Sequence, residues 1–269
     1  MTPNPIPPTP SDYAAFDART YLNEYYAEVV PENRAQLAFL VSELARLPAS
    51  FRLLEFGGGP CAYTLIAAAR AAGPRVHAEY LDENRRELAA WLRGDADAFD
   101  WRATVRAVLE LESARAEGEY SVTDGAVAER IARTRALSAR VIACDVRAGH
   151  VLGEPADPFD VVVSHLCLEA ASHTLEEWRV HLRRVVSLLK PGGTLLMTCV
   201  NRGYAYSVGA HVFPVLYLHE AEVRAAAEAA DLDPHTLAIT HTPADHAAYP
   251  YDGLLFVRAL RRPAQERAD

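Results

Sequence analysis

The chain has 269 residues, half of them hydrophobic, and a formal net charge of −9 at pH 7. That length and composition suit one large α/β unit with a well-formed core and exclude a disordered chain. Acids and bases are scattered with no basic stripe, and no apolar run reaches the length of a membrane span, so neither nucleic acid nor a membrane is expected as a partner.

The elements follow in chain order. Residues 1–15 open with Met1-Thr2-Pro3-Asn4-Pro5-Ile6-Pro7-Pro8 and read as a disordered proline-rich lead with no signal peptide. Residues 16–262 read as one domain and 263–269 as a tail. Within the domain, 16–50 supply lid helices. The first, over 18–29, carries Tyr21, Tyr25 and Tyr26; the second is opened by Pro31 and lines up Leu37, Leu40, Val41, Leu44 and Leu47 on one face.

A strand over 52–56 runs into Gly57-Gly58-Gly59-Pro60, where the proline is expected to start a helix over 61–72. A second strand, 75–80, carries Glu79 near its end. Glycines let a ligand approach the backbone with no Cβ in the way. A carboxylate about 20 residues beyond such a turn is where a ribose diol is gripped, so a nucleoside-bearing cofactor is expected. Two classes compete. Gly57, Gly59 and Ala62 satisfy the relaxed dinucleotide pattern G-x-G-x-x-G/A. Pro60 counts against it, because a pyrophosphate is held by N–H groups at a helix start and proline has none. S-adenosylmethionine (SAM) has no phosphate; it needs room beside the glycines and an acid for its ribose. A turn serving only tight packing is the remaining reading.

A helix follows over 83–93, then a long, mostly helical insertion, 94–138, polar enough to lie outside the sheet. Residues 140–144 form a strand ending at Asp145, and 159–164 form another. Thr174 and Glu177 spell a capping box for the helix through Leu189. Pro191-Gly192-Gly193 turns into a strand over 194–200, a helix covers 219–230, and late strand runs occupy 236–241 and 253–260. No helix separates those two, so an antiparallel hairpin is expected at one edge. The fold class predicted is a doubly wound, mostly parallel sheet of seven strands, Rossmann-like, in one domain. Cys61, Cys144, Cys167 and Cys199 make no C-x-x-C pair; structural thiols in a reducing cytoplasm are expected, with no metal.

Two features bear on chemistry. Asp145 stands at the C-terminal end of a strand, where doubly wound sheets bind ligands, although a turn cap would use it equally well. His165 and Glu169 are four apart at the exit of strand 159–164. On a helix they would share a face, and a His–carboxylate pair makes a general base near neutral pH or, alternatively, a structural hydrogen bond.

From about residue 20 to 260 the chain resembles the small-molecule SAM methyltransferases of the nicotinamide, phenylethanolamine and indolethylamine N-methyltransferase family. The likeness rests on Tyr21-Leu22-Asn23-Glu24-Tyr25-Tyr26, Gly57-Gly58-Gly59-Pro60 with Tyr63, and Ala98-Phe99-Asp100-Trp101. It continues through Cys144-Asp145-Val146, Leu166-Cys167-Leu168-Glu169-Ala170-Ala171, Leu188-Leu189-Lys190-Pro191-Gly192-Gly193 and Asp252-Gly253-Leu254-Leu255-Phe256. The resemblance implies that Tyr21, Tyr26, Gly57, Gly58, Gly59, Tyr63, Glu79, Tyr80, Asn84, Asp145, Val146 and Ser164 hold SAM. It also implies a catalytic role for Glu169, with His165 and Tyr26 beside it. Tyr25, His165, Glu169, Cys199, Tyr204, Tyr206, His211, Tyr249 and Tyr251 would line the acceptor pocket. A second acid of the family falls near Cys199 and is absent, which turns the expectation from a charged amine towards an uncharged ring.

The expected activity is therefore SAM-dependent methylation of a small nitrogen-containing aromatic, leaning to an indole-type acceptor at ring C3 or N, with His165 and Glu169 as base. The alternatives are arylalkylamine N-methylation, a nicotinamide-dinucleotide-dependent reductase, and a non-catalytic SAM-binding regulator. The chain is expected to be cytoplasmic and a monomer or homodimer.

Overall fold

The apolar runs pair where a parallel sheet needs them. The computed structural model describes residues 12–115, 121–137, 139–245 and 251–264. In it β1 (Leu53–Phe56) lies between β2 (Arg75–Glu79) and β4 (Phe159–His165), parallel to both. β3 (Arg140–Ala143) flanks β2, and β5 (Leu189–Asn201) flanks β4, again in parallel. β9 (Gly253–Leu260) runs antiparallel between β5 and the edge strand β8 (Ala238–Pro243), so the sheet order is β3-β2-β1-β4-β5-β9-β8. The seven strands and the antiparallel edge are those the sequence predicts.

β1 and β2 are buried along their whole length, because helices cover both faces of the sheet. Leu54, Phe56, Val162 and Met197 meet α7 (Leu175–Ser187) and α8 (Glu220–Ala229) on one face. Leu53, Val161, Val163 and Leu196 meet α2 (Pro31–Leu44), α3 (Tyr63–Ala68) and α5 (Arg102–Arg115) on the other. The Thr174–Glu177 capping box opens α7 as expected. The chain steps from β1 to β2 to β3 in one direction and then returns to build β4 and β5 on the other side. The loops after β1 and β4 therefore meet at the switch in strand order, where such sheets bind ligands.

Several expectations change. The helix expected over 61–72 shrinks to Tyr63–Ala68, and Pro60 sits in the turn before it, where the Cys61 N–H donates to the Gly58 carbonyl at 3.3 Å. Gly57 and Gly59 hold φ of +68° and +61°, so the loop keeps turning past the proline. At the far end of α3 the Arg75 guanidinium gathers the carbonyls of Ala68, Ala71 and Ala72, which ends the helix early. The 94–138 insertion forms α5 and α6 (Asp124–Ala136) and adds no strand among its described residues, but it is not peripheral: Trp101, Val105 and Val108 are fully buried on α2 and α3. Leu37, Leu40, Val41 and Leu44 likewise fasten α2 into the core, so only α1 (Ala18–Tyr26) is disposed as a lid.

The expected disorder of 1–15 fails for its described end. Asp12–Ala15 forms a 3-10 turn, and Tyr13 stacks on Phe213 at 5.7 Å while donating its hydroxyl to the Ala170 carbonyl at 2.8 Å. A hairpin of β6 (Ala205–Val208) and β7 (His211–Pro214), turned at Gly209 with φ +56°, was not foreseen. It carries Phe213 against Phe16 and so supports α1.

Candidate active site

One cavity of about 660 Å³ opens at the switch point, between the β1 and β4 loops, α1, the start of α2 and the β6–β7 hairpin. That volume suits a small-molecule site. Its first end is the glycine loop. A Cβ on Gly57 would lie 1.9 Å from Cys167 Sγ, whereas one on Gly59 would meet nothing within 4 Å and would project into open space beside a possible ligand. Gly58 packs over Glu55 and His77. His77 Nδ1 bonds Glu55 at 2.9 Å and its Nε2 bonds the Gly59 carbonyl at 2.9 Å, so a buried pair braces the loop from behind. Burial alone would lower the His77 pKa; the Glu55 charge and hydrogen bond outweigh it and hold the imidazole above its usual value.

Glu79 is oriented by three donors. Its Oε2 accepts from the Gly59 N–H at 3.0 Å, and its Oε1 from the Leu81 N–H at 2.9 Å and Asn84 Nδ2 at 3.0 Å. Asn84 comes from the first turn of α4 (Asp82–Arg93). A carboxylate has about four acceptor directions, so Glu79 retains capacity for a diol. The Gly57 N–H is committed to the Ala78 carbonyl at 2.7 Å and the Gly59 N–H to Glu79. A pyrophosphate would find those two donors taken and a carboxylate in its place. Tyr80, Asp145 and Val146 complete this end. Asp145 is also the turn cap considered above, accepting from the Arg147 N–H and Nε, both at 2.9 Å. Burial pushes its pKa up, but the Arg147 hydrogen bonds outweigh this and hold it below the usual range.

α1 lies over the cavity. Tyr21 and Tyr26 bring their hydroxyls to 3.4 Å, Tyr26 stacks on Tyr63 at 5.6 Å, and Tyr63 reaches the His165 ring at 5.9 Å. Tyr25 donates its hydroxyl to the Ser207 carbonyl on β6 at 2.8 Å and so latches the lid to the hairpin. Burial raises the Tyr21 and Tyr26 phenols well above their usual pKa, so both stay protonated.

The acceptor end departs most from expectation. His165 ends β4 and Glu169 sits in a turn, not a helix, and Leu166 between them takes φ +52°. The expected pair is not made. His165 Nδ1 bonds Thr198 Oγ1 at 2.7 Å, and its Nε2 has no partner. Burial pulls its pKa down to about 3. Glu169 is not part of the cavity wall; its Oε1 accepts from the Val200 N–H at 2.9 Å, and burial pushes its pKa up to about 7. Ser164 and Cys199 are buried in their strands and also miss the wall. Tyr204 stacks on Tyr217 at 4.5 Å instead, and His211 points out from the exposed start of β7. Tyr206 does line the cavity, and Tyr249 lies outside the described residues.

The wall includes Tyr251, as the resemblance implied, and gains residues the sequence did not single out for it: Tyr13, Phe16, Glu32, Gln36 and Asp245. Glu32 was detectable as a first-turn acid of a predicted helix. Asp245 gave no signal, because only folding carries it from the end of β8 to the start of α2.

The site fits SAM on its own geometry. Open space above Gly59, a braced acid at Glu79, and aromatic rings beyond them suit a nucleoside with a sulfonium and an amino-acid end. The model of the NNMT/PNMT/TEMT family matches residues 9–262. The chain is 30% identical to indolethylamine N-methyltransferase of Oryctolagus cuniculus over 258 residues, covering 92% of this chain and 94% of the relative. It is 33% identical to nicotinamide N-methyltransferase of Homo sapiens, covering 80% and 81%. Among solved structures, magnesium protoporphyrin IX methyltransferase of Synechocystis PCC 6803 with bound SAM aligns with a TM-score of 0.55 at 12% identity, covering 93% of this chain and 94% of that one, a likeness of fold. With the switch-point cavity, the braced Glu79 and these relatives in agreement, the chain belongs to the NNMT/PNMT/TEMT family of SAM-dependent methyltransferases.

Proposed function

We propose that the chain transfers a methyl group to a small nitrogen-containing aromatic, with an indole-type ring, methylated on carbon or nitrogen, as the first candidate. The observation that carries this is the continuity of the cavity. The Gly57–Gly59 loop and Glu79 occupy one end, and the rings of Tyr13, Phe16, Tyr25, Tyr26 and Tyr206 lead to the other. SAM, when bound, supplies an electrophilic methyl group that needs no further activation. The chain's own residues orient and enclose. Glu79 and Asn84 would hold the ribose hydroxyls, and Gly59 lets the ligand lie against the backbone. Tyr63 and Tyr26 stack to form a rigid flank, and α1 excludes water while holding the reactants in line.

His165 is neutral at physiological pH and offers Nε2 as a hydrogen-bonding group to a ring, not as a store for a proton. Glu169 supports that wall through Val200. An arylalkylamine nitrogen is the second reading, favoured by the carboxylates Glu32 and Asp245 in the wall. The committed N–H groups of the glycine loop weigh against a dinucleotide reductase. Incubation with SAM and a panel of indole, tryptamine, phenylethylamine and nicotinamide, read by mass spectrometry, tests the proposal. A gain of one methyl on an aromatic of this class is expected. No gain on any of them, with SAM bound and unconsumed, would favour the regulatory reading and overturn it.

A further inference from the structure

A first-turn glutamate of a surface helix normally faces water, where the helix dipole favours its charge. Glu32, just after Pro31 at the start of α2, is only 9% exposed and lines the cavity. Its Oε2 accepts the Tyr251 hydroxyl at 2.6 Å, and its Oε1 has only a long contact, 3.3 Å, from the Asp245 N–H. The backbone returns the bond, since the Glu32 N–H donates to Asp245 Oδ2 at 3.1 Å. Two carboxylates thus stand together, and among the described residues no arginine, lysine or histidine forms an ion pair with either. Burial raises the Glu32 pKa, the mark of a carboxylate that lacks a cation or enough donors.

A second observation points at the same place. Gln36, one turn along α2 and 5% exposed, lines the cavity too. Its Nε2 faces the Tyr63 hydroxyl but closes no hydrogen bond. A buried amide without a partner costs about 1–3 kcal/mol in an ordinary core, so such groups are found where a ligand or water supplies the bond. Glu32 and Gln36 are spaced i, i+4 and present an acceptor and a donor to one region. Val200, Val215 and Leu254 supply the apolar wall beside them.

We infer that Glu32, braced by Tyr251, is the group that grips the acceptor's nitrogen, and that the acceptor carries an N–H, on a ring or an ammonium, at that end. The inference rests on the methyl-transfer reading of this cavity and names its specificity-determining residue. Two sources offer the same chemistry: an indole N–H and a protonated amine.

Glu32→Gln separates recognition from bracing, since the amide oxygen can still accept from Tyr251 while the charge is gone. Calorimetry on protein saturated with S-adenosylhomocysteine (SAH), the demethylated product of SAM, would use indole, 1-methylindole, tryptamine and phenylethylamine as probes. We expect at least one N–H probe to bind the wild type and to lose about 10- to 100-fold in Glu32→Gln, the scale of a charge-assisted hydrogen bond, with SAH affinity unchanged. Preference for indole over 1-methylindole assigns the ring N–H, and preference for the amines assigns the ammonium. Tyr251→Phe keeps the carboxylate but removes its brace, so it should lose acceptor affinity by clearly less than Glu32→Gln does. Equal binding to wild type and Glu32→Gln, no binding of any N–H probe to the wild type, or a loss in Tyr251→Phe as deep as in Glu32→Gln, would overturn the inference. Loss of SAH binding by the wild type would instead defeat the methyl-transfer reading itself.

Discussion

The two ends of the cavity are built on opposite terms. At the cofactor end the key groups are held before any ligand arrives: Glu79 has three donors, and His77 ties Glu55 to the glycine loop, with Asn84 Oδ1 and Glu55 Oε1 left unpaired. At the acceptor end, His165 Nε2 and Gln36 Nε2 have no partner. A braced carboxylate fixes the geometry of a shared ligand at little cost on binding, whereas a wall group with no partner in the fold is free to match a variable one. A family can thus keep one cofactor and vary its acceptors by changing a wall whose polar groups are not committed to the fold.

The sharpest way to break this contrast is to remove the centre of the braced end. Glu79→Ala strips the acceptor from Gly59, Leu81 and Asn84. We expect SAH affinity to fall by about 1.5–3 kcal/mol and folding stability by roughly 3 kcal/mol or more, measured by calorimetry and denaturant titration. An unchanged SAH affinity would mean that the carboxylate only braces the loop.

Gly57→Ala attacks the same end sterically. The new Cβ would meet Cys167 Sγ at 1.9 Å, at a φ of +68°. Overpacking and backbone strain together should cost about 2–4 kcal/mol. Adding Cys167→Gly should restore the part due to the clash and leave about 1–2 kcal/mol of strain. No recovery in the double variant would show that the loop's conformation, not its contact with Cys167, sets the cost.

The acceptor end can be sharpened through pH. The folded protein holds the Glu169 pKa at about 7, up from 4.5, because burial disfavours the charge. Between these values the folded state binds more proton than the unfolded chain, so this group's contribution is full below about pH 4.5 and is lost as pH rises through 7. His165 acts oppositely, its pKa lowered from 6.5 to about 3, so it costs stability as pH falls below about 6.5. Glu169→Gln removes the first slope alone. Relative to wild type, the variant should gain stability as pH rises from 5 to 8, by at most about 3 kcal/mol. A flat difference would place Glu169 in a more solvated setting. Its catalytic effect should be weaker than that of Glu32→Gln, since it lies behind the wall.

The smallest expected effect is at the latch. Tyr25→Phe deletes the bond to the Ser207 carbonyl at a position that is 38% exposed. About 0.5–1.5 kcal/mol should appear as a higher KM for the acceptor, with SAH binding near wild type.

Most of the fold was legible because it is written in contiguous runs. Leu53–Phe56 and Phe159–His165 are short apolar stretches bounded by turn signals, and Thr174 and Glu177 fix a helix start from four residues. The cofactor end was legible for the same reason, being one strand, its loop and an acid at the expected spacing. Pattern misled where local geometry overrode it. Spacing of four suggested that His165 and Glu169 share a face, but the strand ends at His165 and Leu166 turns left-handed, which sends Glu169 to Val200. The absence of an acid at Cys199 suggested an uncharged pocket, yet the wall obtains its carboxylates from Glu32 and Asp245, over 200 residues apart in the chain. No periodicity reports a meeting of that kind.

Competition between cofactors at the glycine loop tests the central claim most directly. Titrating the wild-type protein with SAH and, separately, with oxidised and reduced nicotinamide dinucleotides in a calorimeter compares a ligand without a pyrophosphate to ligands that need one. We expect saturable binding of SAH and no heat from either dinucleotide, because the Gly57 and Gly59 N–H groups are already spent on Ala78 and Glu79. Saturable dinucleotide binding with no binding of SAH would contradict the assignment of this cavity to methyl transfer.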